Sequence, residues 1–164
     1  MRSQTSTAAE YQIKSWLSAS EWVVYRPITD NGVDLIVEYP KIKRLVRMQI
    51  KHKEPRARYQ NKINRQWNPD RKTFDYLIVY QPKLERGLIL PWRVLTNRGI
   101  KFSFGYQGDS DEVYPKYRRY VFDLRKKPIA SHSAIFVRAF ERAHLGWTPK
   151  LGIAGSRSKR LRPR

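Results

Sequence analysis

The chain reads as an α/β or α+β protein, a helix leading into a mixed sheet with a second helix behind it. Three patterns predict this. Thr5 to Ser20 spaces Tyr11, Ile13, Trp16 and Leu17 as the apolar positions of a helix. Asn31 to Tyr39 and Arg44 to Lys51 alternate as strands do, with Pro40 to Arg44 supplying the turn between them. Ser131 to His144 sets Ile135, Phe136, Ala139, Phe140 and Ala143 on one side of a helix. A helix ahead of a mixed sheet with little else points to these classes.

Taken in order, the first helix opens on Thr7-Ala8-Ala9-Glu10, the pattern of a capping box with Thr7 as N-cap and Glu10 reaching back to its amide. Trp22 to Tyr25 is expected as the first strand. The hairpin follows. A four-residue loop, Pro40 to Lys43, pairs Tyr39 with Arg44 and sets Asp34 across from Gln49. Opposite residues of an antiparallel pair share a face, with Cβ atoms about 4.5–5.5 Å apart. Lys51 is two residues beyond Gln49, so it shares that face. A carboxylate, an amide and an ammonium therefore meet at one end of a largely apolar hairpin. Such a cluster suits a divalent metal and a phosphate.

Residues 51–72 are polar, with eight Lys or Arg against two acids and with Pro55 and Pro69 as breakers. Asp75 to Tyr80 is expected as a strand and Gly87 to Trp92 as its hairpin partner. Residues 99–124 are aromatic-rich and yield no assignment. There Tyr114, Tyr117, Tyr120 and Phe122 sit among Lys116, Arg118 and Arg119. Residues 1–150 are expected to form a single domain with a basic loop at 51–72. The tail, 151–164, is basic and expected to be flexible, with five Lys or Arg in its last ten residues. No internal repeat is visible.

The 164 residues suffice for one domain with a real core. The 34 Lys and Arg against 14 Asp and Glu leave a formal charge of +20, which favours a phosphate-bearing partner. No apolar run approaches the roughly 18 residues of a spanning helix, and the N-terminus lacks the apolar core of a signal peptide, so no membrane partner is expected. With no cysteine, a disulfide framework and a thiolate metal site are excluded. His52, His132 and His144 have no ligand spacing that would make a zinc site. Neither a Gly-rich phosphate loop nor a nucleophile elbow is present. Composition alone is equally compatible with a ribosomal or chromatin-type binder that does no chemistry.

The residues do carry a resemblance. A helix bearing Glu10, a strand ending Gly32-Val33-Asp34 and a following strand ending Gln49-Ile50-Lys51 resemble the core of the PD-(D/E)XK nucleases. The strand at 75–80 followed by Gly87-Leu88-Ile89-Leu90-Pro91-Trp92 resembles the continuing sheet of small endonucleases of this type. The resemblance covers residues 5–95 and implies a restriction-endonuclease-like core. Gln49 departs from the usual Asp or Glu, as in some resolvase-like and homing members, and Val33 stands where the family's Pro does. Within the family the chain looks most like a small intron-encoded homing endonuclease. Holliday-junction resolvases and restriction enzymes are similar. An inactive nucleic-acid-binding module on the same fold is the alternative from another class, and Gln49 keeps it open.

On this reading the activity is Mg²⁺-dependent hydrolysis of phosphodiesters in double-stranded DNA. Mg²⁺ prefers hard oxygen ligands and keeps several waters, so one or two carboxylates and the substrate phosphate can hold it. Asp34 is the primary expected ligand and Gln49 offers its side-chain oxygen. The resemblance adds the Ile50 carbonyl, and makes Glu10 an active-site carboxylate as well as, or instead of, a helix cap. Lys51 would hold the attacking water or stabilise the pentavalent charge. The plainer readings are a turn-side aspartate, an edge-strand glutamine and a solvated lysine; the direct Asp34–Gln49 pairing weighs against them. Glu38 reads as a surface charge and Asp75 as structural.

For DNA contact, Lys53, Arg56, Arg58, Lys62, Arg65, Arg71 and Lys72 leave directly from the proposed catalytic strand and suit phosphates. Gln60, Asn61, Asn64, Gln66 and Asn68 among them suit adenine edges in the major groove. A solvated loop is the bland alternative. Cutting both strands needs two symmetry-related sites, so a homodimer or higher homo-oligomer is expected. The 131–144 helix is a candidate interface unless it packs on its own sheet. The expected location is cytoplasmic, nucleoid-associated when bound to DNA.

Overall fold

The computed structural model describes residues 4–28, 32–41, 43–54, 62–63, 72–95, 100–104, 111–113 and 115–145. Helix α1 runs Gln4–Ser18. Its buried stripe is Ala9, Ile13, Trp16 and Leu17, the i, i+4, i+7, i+8 pattern of an amphipathic helix. Tyr11 falls off that stripe and is 57% exposed, contrary to its expected core position. Because the helix starts at Gln4, Thr7 lies inside it and is not an N-cap. The backbone at Thr7 is thus helical and not that of a helix cap.

The main sheet has six strands in the order β1-β2-β3-β5-β6-β9. These are β1 (Val23–Tyr25), β2 (Leu35–Tyr39), β3 (Arg44–His52), β5 (Tyr76–Gln81), β6 (Arg86–Pro91) and β9 (Val121–Asp123). Every neighbouring pair is antiparallel except β3 and β5, which run parallel with Gln49 beside Leu77 and Lys51 beside Val79. The hairpin register is as expected, from Tyr39↔Arg44 to Leu35↔Met48. Its turn closes with Lys43 at φ 47°, a left-handed residue. A second sheet, β4-β7-β8, is formed by β4 (Lys62–Ile63), β7 (Ile100–Phe104) and β8 (Asp111–Val113). These strands, with helix α2 (Pro115–Arg118) and β9, account for much of the stretch that sequence patterning left unassigned.

Alternation decides which side of the sheet each residue serves. Tyr76 and Tyr80 of β5 meet Phe140 and Trp16, so the even positions of β5 face the helices. The odd positions, Leu77 and Val79, are equally buried, and so both faces of this central strand are covered. Helix α3 (His132–Leu145) buries Phe136, Ala139, Phe140 and Ala143 against this sheet and α1. The apolar side considered as a subunit interface is thus spent on the chain's own core. Arg86 ties the second sheet to the first. Its guanidinium pairs with Asp123 at 3.1 Å, donates to the Phe104 carbonyl at 3.3 Å and lies 4.9 Å from the Phe104 ring. Among the described residues no helix is long and apolar enough to cross a membrane.

Candidate active site

β2 stops one residue short of Asp34, and that stop creates the site. The amide of Asp34 donates to the Met48 carbonyl at 2.8 Å. Its carboxylate then accepts the Ile50 amide at 2.6 Å. Ile50 would otherwise lose a partner where β2 ends, and a buried amide without an acceptor costs about 1–3 kcal/mol. Asp34 thus grips β3 on both sides of Gln49. The expected ladder pair Asp34↔Gln49 is not formed as such, because the paired ladder ends at Leu35↔Met48. Asp34 instead bonds the two residues that flank Gln49, Met48 and Ile50.

Gln49 is 2% exposed, and its Oε1 atom is buried with no hydrogen-bond partner among the described residues. The other end of its amide lies against Gly32, where a Cβ would come within 3.6 Å of Nε2. Gly32 has φ +82°, a conformation that side chains rarely adopt, and this turns the chain into Asp34. Lys51 follows on the same face, half-buried, with no ion-pair or hydrogen-bond partner among the described residues. Its neighbour His52 points to the opposite face and bonds Glu54 at 2.9 Å, and Glu54 in turn pairs with Lys83. The Lys83 and His52 contacts hold the Glu54 carboxyl below its ordinary range.

Glu10 comes to this end of the sheet from the helix layer. It is 3% exposed and its Oε2 accepts Arg26 at 3.0 Å. Arg26 follows β1, whose last residue, Tyr25, pairs with Ile36 two positions from Asp34. Arg26 also lies over the Tyr11 ring at 5.4 Å, so exposed Tyr11 has a role outside the core. Sequence reasoning missed Arg26. It lies 16 residues from Glu10 and carries no motif; only the helix-to-strand packing unites them.

Of the residues expected to contact DNA, Lys53, Lys62 and Lys72 are described. The Lys53 amide donates to the Tyr80 carbonyl, and Lys62 belongs to β4. Lys72 precedes β5, at the opposite end of the sheet from Lys51, and its ammonium pairs with Asp75 at 2.7 Å. Arg56, Arg58, Gln60, Asn61, Asn64, Arg65, Gln66, Asn68 and Arg71 lie outside the described residues, as does the tail 151–164. Asp75 is structural, as its position promised. It accepts the Arg47 amide at 2.9 Å and pairs with the Arg47 and Lys72 side chains.

The donor chemistry matches a hard divalent cation. Asp34 could supply carboxylate oxygen, Gln49 a buried amide oxygen that has no partner among the described residues, and Ile50 a main-chain carbonyl. Among the described residues no three His, Cys, Asp or Glu side chains gather at one point. A cation here would therefore rest on few charges and keep much of its water.

No protein-family model matches the chain, and no curated protein matches it. Among solved structures, that of a bacterial homing endonuclease, I-Ssp6803I, is similar with a TM-score of 0.51 and 16% sequence identity. The match covers 89% of this chain and 96% of that one. At this identity the likeness concerns architecture: the chain has the mixed α+β fold of that homing endonuclease, with its N-terminal helix, six-stranded sheet and C-terminal helix.

Proposed function

We propose that this protein is a site-specific, Mg²⁺-dependent DNA endonuclease of the PD-(D/E)XK type, working as a homing endonuclease on double-stranded DNA. The observation that carries the reading is the end of β3. Asp34 clasps the strand on both sides of Gln49, the Gln49 oxygen is buried with no partner among the described residues, and Lys51 follows on the same face. A buried amide oxygen with nothing to bond costs stability unless a ligand uses it. The fold shared with a homing endonuclease supports the same reading.

Each residue then has a task. Asp34, Gln49 and the Ile50 carbonyl would hold Mg²⁺, which when bound lowers the pKa of its water and neutralises charge on the phosphate. Lys51 orients the attacking water or stabilises charge on the phosphoryl oxygens. Glu10, fixed by Arg26, adds negative charge at the same end of the sheet. The formal charge of +20 supplies phosphate affinity, so binding and cutting are separable. A double-strand cut needs two sites, and we infer a symmetric homodimer or larger assembly.

A second reading, an inactive binding module, is favoured by one observation: a neutral amide stands where a carboxylate would bind metal more tightly. One experiment decides. The protein is incubated with a randomised duplex library in Mg²⁺ and the new ends are sequenced, with Lys51→Ala alongside. Ends sharing one extended, pseudo-symmetric sequence, absent with Lys51→Ala, establish the endonuclease. Tight binding with no new ends, on this library and on a four-way junction, establishes the binding module.

A further inference from the structure

One row of paired residues, Lys51↔Val79, Val79↔Leu88 and Leu88↔Val121, crosses the main sheet from the candidate site to its far edge. β3, β5 and β9 run in the same direction, so the turn that follows β9 leaves the sheet at the end where Lys51 lies. Three strand spacings of about 4.8 Å set that turn about 14 Å to the side of Lys51.

The turn is held from beneath and open above. Leu124 is fully buried, and its amide donates to the Glu85 carbonyl at 2.9 Å. The Lys127 amide donates back to the Leu124 carbonyl at 3.1 Å, and the His132 Nε2 lies 3.2 Å from the Lys127 carbonyl. Ser131 donates its amide and its hydroxyl to the Pro128 carbonyl, at 2.8 and 2.7 Å. On this frame every residue from Arg125 to Ala130 is exposed, Ile129 at 82%. Lys126 has φ 56°, a left-handed conformation that glycine would take more readily.

The charge of the turn is not neutralised by its surroundings. Asp123 is engaged by Arg86 at 3.1 Å and by Arg125 at 2.7 Å, and Glu54 by His52 and Lys83. Glu85 is half-buried and pairs with neither lysine of the turn. The Lys126 and Lys127 ammonium groups have no hydrogen-bond or ion-pair partner among the described residues. Two uncompensated cations on a braced, projecting turn, at the same end of the sheet as Lys51, suit an anion long enough to reach both places. A duplex backbone is such an anion, and contacts of this kind fix its position without reading its sequence.

We propose that the turn between β9 and α3 is a second DNA-backbone contact, in which Lys126 and Lys127 each hold a phosphate. The partner rests on the endonuclease reading above, and the surface is new to it.

The test measures the affinity of the full chain for a random-sequence DNA duplex across a range of salt concentrations. Each phosphate contact adds about 0.9 to the slope of log affinity against log salt. Lys126→Gly with Lys127→Ala should therefore flatten the slope by about 1.8. Glycine suits the Lys126 conformation, so the turn itself should survive; circular dichroism checks the fold. Lys127→Gln alone, expected to flatten the slope by about 0.9, is the second variant should the pair fold poorly. A charge-matched control, Arg138→Ala with Arg142→Ala, removes two exposed arginines from α3 and should leave the slope unchanged. In Mg²⁺ the lysine pair should raise KM for cleavage and keep kcat, because Asp34, Gln49 and Lys51 are untouched. A wild-type slope in the lysine variants, or equal flattening in the arginine control, overturns this proposal while leaving the endonuclease reading intact. A wild-type protein that neither binds nor cuts duplex DNA overturns both.

Discussion

The Asp34 carboxylate and the Ile50 amide stand 2.6 Å apart, one residue past the end of the β2–β3 ladder. This bond gives Asp34 a structural duty that is distinct from any chemistry, and the two can be separated. Asp34→Ala leaves the Ile50 amide buried without an acceptor and is expected to cost about 1–3 kcal/mol. Asp34→Asn keeps an acceptor in place and should unfold near the wild-type temperature. Both should lose cleavage while retaining most DNA affinity. Thermal unfolding, cleavage and binding measured on the pair check this. Cleavage by Asp34→Asn at the wild-type rate would rule Asp34 out of the proposed metal site.

Gln49→Glu restores the carboxylate that the resemblance leads one to expect. Without metal, a second carboxylate beside Asp34 in a buried place is unfavourable, so the variant should unfold at a lower temperature than wild type. With Mg²⁺ the order should reverse in part, because ligand charge tightens binding on the order of tenfold and binding to the folded state raises stability. Calorimetry with and without Mg²⁺ reads both effects. Equal metal-induced shifts in the two proteins would count against Gln49 as a ligand.

The hairpin was legible because its information is local. The alternation of residues 31–51 with a four-residue turn sets the register from Tyr39↔Arg44 to Leu35↔Met48, and alternation along β3 puts Gln49 and Lys51 on one face. Glu10 was legible as a residue and illegible as an environment. Its ion pair with Arg26 depends on how α1 lies on β1, which no periodicity encodes. Thr7 misled because a capping box is a four-residue pattern that a helix can simply run through; here it starts at Gln4. β7, β8 and β9 escaped notice since they are short and interleaved with aromatics, and β7 and β9 also pair with strands distant in sequence, β4 and β6.

Acid stability should report on Asp75. Burial alone would raise its carboxyl pKa, but Lys72 and the Arg47 amide and guanidinium outweigh burial and hold it below the ordinary value. A depressed folded pKa means that the stabilisation is complete above the unfolded value of about 3.9 and is lost as pH falls toward the folded value. Asp75→Asn should therefore be less stable than wild type at pH 7, by about 1 kcal/mol since both partner side chains are partly solvated. The difference should shrink below about pH 4. Urea unfolding across that range checks the sign, and a difference that grows in acid would contradict it.

Gly87 tests the packing of β6 between its neighbours. A Cβ at this position would stand 2.3 Å from the Phe122 ring and 2.5 Å from the Val79 carbonyl, distances at which something must move. The carbonyl is held in the β5 ladder, and Phe122 is fixed in turn by Tyr80 and Phe136 at 5.8 and 5.4 Å. Neither can yield without opening the core. Gly87→Ala is therefore expected to cost about 1–3 kcal/mol as overpacking, lowering the unfolding temperature by several degrees. The double variant Gly87→Ala with Phe122→Leu should recover part of that loss, because a smaller neighbour relieves the ring contact. The carbonyl contact remains, so recovery should be incomplete. If Gly87→Ala alone unfolds at the wild-type temperature, β6 does not approach β9 as closely as the Gly87–Phe122 contact requires.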